Sequence, residues 1–355
     1  MRAAVRTNCE FTYFSSSLHR FSNIISMQSA QKALTFAKNW MLPISIVIGI
    51  SSYLIYHNTP ALYPAGPFFH ELITKGQAVL ISALLFLQFL KVSPHDMKLH
   101  RWHLIILTIQ VSMSALFAVL ATINPGSGAS ILFECAMICF ICPTASAAAV
   151  ITGRLGGSAA GCMTFNVLTN ACATIIIPTA ISVIHPSASI SFAGTAAAIA
   201  ARIFPVLLLP CILAWTIRIT LPRIHDALAK YSHWSFYIWG LALIIAMILS
   251  TRALLLSDLP AGIIAGIVAI SIASCALQFK VGRMTGSRYG EVERITAGQA
   301  LGQKNTGFII WIGYSFMTPV TSVAGGLYAI WQNLFNSWEL KQSRKADAIS
   351  SKTER

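Results

Sequence analysis

A lysine, three amides, a threonine and three glycines stand together in Gly298–Gly307, GQALGQKNTG, within an otherwise apolar stretch near the C-terminus. Freed backbone groups and a charge at membrane depth are tolerated only inside protein or against a water-filled cavity. Gln303, Lys304, Asn305 and Thr306 are therefore candidate binding groups, and their chemistry is recognition by charge and polarity, not bond-making. A second interruption, Cys142–Val150 (CPTASAAAV), lies in the first half of the chain, where Pro143 lacks a backbone donor and Thr144 and Ser146 offer hydroxyls. Two broken apolar segments at corresponding places in two halves point to the binding site of a transporter. Asn166 and Asn170 stand one turn apart and can present both amides to one crossing; interhelical hydrogen bonds are the plainer reading. Glu134 is read as the only carboxylate deep in a span, so it is a candidate for carrying a coupled proton. The plainer alternative is that it pairs locally or faces an aqueous cavity.

The elements that must position these residues are membrane helices. Of the 355 residues 55% are hydrophobic and 10% charged, against roughly 25% charged in a soluble domain. Apolar runs of about 18 residues or more recur along the chain, the length that spans a bilayer. The net charge of +14 sits between these runs, so it reads as membrane topology and not as a nucleic-acid surface. Cys135, Cys139 and Cys142 share a helix face, but a zinc site needs a second pair or nearby histidines, and the cysteines read as small buried hydrophobes. No nucleophile–base pair or metal triad lies in the spans, so no enzyme is expected.

Hydropathy gives ten segments: 39–56, 73–90, 102–123, 129–150 (broken), 157–183, 197–217, 233–251, 259–279, 294–315 (broken) and 318–337. With the N-terminus inside, all but four of the 25 basic residues fall on the cytoplasmic side; the exceptions are Lys75, Arg202, Arg252 and Lys304. This asymmetry predicts a multi-pass protein of the inner or plasma membrane with both termini cytoplasmic. Ten segments divide into five plus five, and an odd unit gives two halves of opposite orientation. The expected fold class is an all-α polytopic membrane protein, a 5+5 inverted repeat whose fourth and ninth helices are broken and cross. Residues 1–38 form an N-terminal tail, 39–337 the transporter domain and 338–355 a polar C-terminal tail expected to be disordered. Residues 1–31 are serine-rich and nearly free of acid, like a transit peptide; the alternatives are a cytoplasmic tail or a start at Met27.

The stretch Cys142–Pro178, CPTASAAAVITGRLGGSAAGCMTFNVLTNACATIIIP, and Arg294–Trp338, with GQKNTGF followed by GGLYAIWQNLFNSW, resemble the bile acid:sodium symporter family. Weaker echoes are LQFLKVSPHDM (87–97) and PVLLLPCILAW (205–215). The resemblance implies ten helices arranged as a four-helix panel and a six-helix core, two broken helices crossing near mid-membrane, and uptake of organic anions coupled to sodium. It also implies where ligands should stand. The family's fourth-helix serine and asparagine fall on Ala148 and Ala149, its fifth-helix serine and threonine on Cys162 and Asn166. Its shared glutamate falls on Ala300 and its ligand glutamine on Lys304, while an asparagine is kept as Asn305 beside Thr306. A register shift of one would put Gln303 at that glutamine instead. Gln110 matches a further sodium ligand, and Asn333 an asparagine lining the substrate cavity, next to Gln332 where the family has histidine.

With the glutamate and both fourth-helix ligands gone, no sodium cage is expected, and no cofactor. The expected function is alternating-access transport of a small organic anion, with Ser146, Asn166, Asn170, Lys304, Asn305, Thr306 and Asn333 binding substrate. Positive half-helix ends near Ser146 and Thr306 would face the anion. Glu134, Gln110 and Gln303 are the candidates for ion coupling, and the ammonium of Lys304, accepted by backbone carbonyls and Asn166, is expected to stand where a sodium ion would. The alternative is a non-transporting receptor or structural subunit on the same scaffold.

Overall fold

A computed structural model describes residues 40–353, and their side chains as far as residue 343. The expectations for residues 1–38 lie outside the described residues, apart from the helix that begins at Trp40. The chain divides between Val47 and Ile48, and all packing described below is within the second unit.

The protein is an all-α membrane protein. Its helices are α1 Trp40–His57, then α2 Gly66–Phe89, α3 Arg101–Ile123, α4 Gly128–Ile141, α5 Ala148–Arg154, α6 Ala159–Ile184, α7 Phe192–Leu207, α8 Leu209–Thr220, α9 Pro222–Ala229, α10 Ser235–Leu255, α11 Ala261–Gly286, α12 Glu291–Gly302, α13 Thr306–Phe316 and α14 Thr321–Thr353. Among the described residues six stretches are long and apolar enough to cross a bilayer, and the bent pair α7–α8 makes a seventh. The 42° bend between α7 and α8 follows from Pro205 and Pro210, each of which removes a helical donor at the joint. Serine side chains fix three helix starts: Ser127 accepts from Ser130 N, Ser158 from Gly161 N and Ser191 from Gly194 N.

The ten hydropathy segments thus do not reappear as ten long apolar helices. Segment 129–150 is split into α4 and α5, and 294–315 into α12 and α13. Segment 318–337 is only the first part of α14, which continues as helix through the stretch read as a disordered tail. Glu339, in that stretch, is buried, ion-paired with Arg283 and hydrogen-bonded by Gln299 Nε2. It is therefore a second buried carboxylate beside Glu134. The loop after α8 holds the short exposed helix α9.

The two breaks are narrower than the sequence indicated. Gly298–Gly302 is helical, so the second break is confined to Gln303–Asn305. The glycine-rich run serves packing on α11 instead: a Cβ on Gly298 would press on the Arg283 side chain, and one on Gly302 would enter the Phe279 ring.

Candidate functional site

Four half-helices converge where the breaks meet. α4 and α12 arrive there with their C-termini, and α5 and α13 leave from it. The unwound residues pair as an antiparallel bridge, Thr144 with Lys304. Ala145 N donates to Gln303 O and Asn305 N to Pro143 O, both at 2.9 Å. Each break thus satisfies backbone groups the other has freed, which unwound chain in an apolar interior requires.

The second helix after each break, α6 or α14, clamps it from the side. Asn166 on α6 donates to Thr144 O at 2.9 Å, and Thr144 N donates to Thr169 Oγ1 at 3.2 Å. On the other half, Gln332 of α14 accepts from Lys304 N at 2.8 Å and donates to Lys304 O at 3.2 Å. Thr144 Oγ1 ties the halves together by donating to Ala300 O at 2.7 Å.

The C-terminal carbonyls of α4 and α12, which have no partner further along their own helices, are capped by side chains. Lys304 Nζ donates to Phe140 O at 3.1 Å and to Gln110 Oε1 at 3.0 Å. Gln110 Nε2 reaches Ile141 O at 3.2 Å, and Gln278 Nε2 reaches Cys139 O at 3.1 Å. Across the site Tyr328 Oη caps Gly302 O at 2.8 Å. Two helix C-termini carry partial negative charge, roughly half an elementary charge each. A cation is what their meeting point attracts, and Lys304, fully buried at 0% exposure, supplies it. No carboxylate is within ion-pair distance of Lys304 among the described residues.

The expected residues divide accordingly. Lys304 is at the crossing, with its amine directed into the C-terminal end of α4. Its acceptors are Phe140 O and Gln110, not Asn166, whose amide is held by the break itself. Gln110 is at the crossing as a neutral ligand of the amine. Gln303 turns the other way: its amide donates to Gln299, which continues the chain to Glu339 and Arg283. Lys304, not Gln303, therefore occupies the position facing α4.

Asn305 caps its own helix, accepting from Phe308 N at 3.2 Å, with Thr306 the first residue of α13. The positive end of α13 is thus partly satisfied from within. The helix after Ser146 is the seven-residue α5, which has no side-chain cap. Asn170 stacks on Asn166, donating to Asn166 O at 2.8 Å, and its own Oδ1 is buried without a partner. Asn333 is turned back onto Ala329 O of its own helix at 2.7 Å and makes no tie to the crossing.

Glu134 is also apart from the crossing. It is 2% exposed; its Oε2 accepts from Thr318 N at 3.2 Å and its Oε1 from Thr318 Oγ1 at 3.1 Å, while His185 Nε2 lies 3.2 Å from Oε2. Cys135, Cys139 and Cys142 are buried and free, and the Cys142 thiol donates to Asn305 O.

Gln332, Gln278, Tyr328 and Thr169 were not anticipated from the sequence. The available signal was a lone amide inside an apolar helix, as with Gln278 in α11. Ala148, Ala149 and Ala300 bring no side-chain oxygen to the crossing, and of its helix-end carbonyls Phe140 O is taken by the lysine amine and Ile141 O, Cys139 O and Gly302 O by Gln110, Gln278 and Tyr328. The chain matches no family model and no curated protein sequence.

Proposed function

We propose that this protein is a secondary transporter of a small organic anion, working by alternating access, in which the amine of Lys304 occupies the seat that sodium takes in the bile acid:sodium symporters it resembles. The observation that carries this reading is the meeting of two helix C-termini at paired breaks with a lysine amine capping one of them. Broken helices whose ends face an ion or substrate are a recurring transporter device, and neither a receptor nor a structural subunit needs one.

An inverted repeat of five plus five segments fits the packing. α3 lies on α4 as α11 lies on α12; α5 lies on α6 as α13 lies on α14; and α6 packs on α12 as α14 packs on α4. The bridge is symmetric in the same sense, since Asn166 and Gln332 play equivalent parts on its two strands. The protein would sit in the inner or plasma membrane with both termini cytoplasmic.

The test is uptake of a radiolabelled bile acid and a panel of small labelled carboxylates into proteoliposomes, in sodium buffer and in sodium-free choline buffer. Equal uptake in both is the expected result. Uptake that collapses without sodium would sink the substitution of the ion by Lys304. Binding without uptake of any anion would favour a receptor.

With sodium replaced, the coupled ion is a proton, and Glu134 is its carrier. It is buried, and the imidazole of His185 beside it is partly exposed, at 37% of its side chain, which links the carboxylate to the protein surface. Uptake should vary between about pH 5 and 8 in the wild type and become insensitive to pH in Glu134→Gln. A Glu134→Gln variant with the wild-type pH profile would make the residue a structural tie between α4 and the turn at Thr318.

A further inference from the structure

The ends of three helices border a half-open cavity of about 260 Å³ away from the crossing. Its walls are Tyr53, Tyr56, Leu62, Phe69 and Leu249, from α1, the turn after it, α2 and α10. At its head stand Arg252, in the last turn of α10, and His70, in the second turn of α2. Arg252 Nη1 lies 2.9 Å from His70 Nδ1. A guanidinium can only donate, so Nδ1 accepts, and this imidazole is the neutral tautomer that contributes no negative charge. No carboxylate is in ion-pair distance of Arg252 among the described residues; Glu71, one residue from His70, is paired with Lys75.

We propose that this cavity binds an amphipathic anion, an apolar chain bearing one carboxylate or phosphate. Its acid group would meet Arg252, and its chain would lie against Tyr53, Tyr56 and Phe69. A planar guanidinium with free donors matches both acid groups. The volume is just below the usual range of about 300–1,000 Å³ for small-molecule pockets, which fits one chain and not a bulky ring system. The aromatic walls at helix ends are of the kind found at a membrane–water boundary, where such a molecule partitions.

The site is separate from the crossing. Gln77, the α2 residue that touches the crossing through Gly307 O, lies seven residues beyond His70, about 10 Å along the helix. It is nonetheless in communication with the crossing, because the His70 ring packs edge-on against Tyr314 near the end of α13, with 5.8 Å between centroids. An occupant would stabilise the contact between α2, α10 and α13.

Purified full-length protein in phosphatidylcholine nanodiscs should bind radiolabelled dodecanoate saturably. Dodecyl phosphate should displace it and dodecanol should not. Arg252→Gln should weaken binding about tenfold or more, as expected for loss of a charge-assisted hydrogen bond, while Arg252→Lys should retain most of it. Including phosphatidic acid in the nanodisc separates the two sources of the anion: suppression of dodecanoate binding assigns the site to a lipid headgroup, and no suppression assigns it to a free acid. Unchanged binding by Arg252→Gln, or displacement by dodecanol as effective as by dodecyl phosphate, would overturn the proposal. The competition arms need only the wild type, so they decide the matter even where a variant folds poorly, and no arm reads transport.

Discussion

Lys304→Met is expected to abolish uptake in both sodium and choline buffers and to destabilise the protein by about 2–6 kcal/mol, taking about 1–3 kcal/mol for each buried acceptor left without a donor. The two acceptors are Phe140 O and Gln110 Oε1. Methionine keeps the length and apolar character of the stem, so the change isolates the amine. The carbonyl has no second recourse: the amide four residues on, Thr144 N, is already committed to Thr169. Sodium should not rescue the variant, because Ala148, Ala149 and Ala300 still provide no ligand oxygens. Thermal unfolding in detergent and proteoliposome uptake are the two readouts. A variant that unfolds with the wild type and still transports would remove Lys304 from the mechanism.

The second large effect is expected at Gln332, not at its neighbour Asn333. Gln332→Leu deprives Lys304 of partners for both its backbone N–H and its C=O. By the same reckoning this costs about 2–6 kcal/mol and loosens the crossing. Asn333→Leu removes a bond to its own helix only. Exposing Ala329 O, which the helical ladder already serves, should cost below about 1 kcal/mol. The family resemblance would rank the two the other way, with Asn333 as the site residue. Comparing the midpoints of thermal unfolding of the two variants decides it; equal losses, or a larger loss at Asn333, would contradict the clamp.

The sequence determined much of the architecture, because bilayer thickness and the scarcity of charges leave little freedom. Apolar run length predicted the helices, and the clusters around Thr144 and Lys304 predicted where two of them break. The sequence also determined that Ala148, Ala149 and Ala300 bring no side-chain oxygen to the breaks, since alanine carries none in any fold. It misjudged the extent of the second break: glycines in GQALG read as interruption, yet they are helical and serve close packing on Phe279 and Arg283. It misread the final segment as well, because a polar composition predicts an unpacked tail unless partners such as Arg283 and Gln299 are known to wait for Glu339.

Only the tertiary structure decided which polar groups meet. Lys304 and Gln110 are 194 residues apart and Thr144 and Ala300 156 apart, and no local periodicity encodes such pairings. Nor does composition reveal direction: that Lys304 points into the C-terminus of α4, while adjacent Gln303 points toward Gln299, follows from the extended backbone of the break, which sends successive side chains to opposite faces. The sequence could place a cation at the break. The convergence of two helix C-termini around that break explains physically why a cation can stay there without a carboxylate.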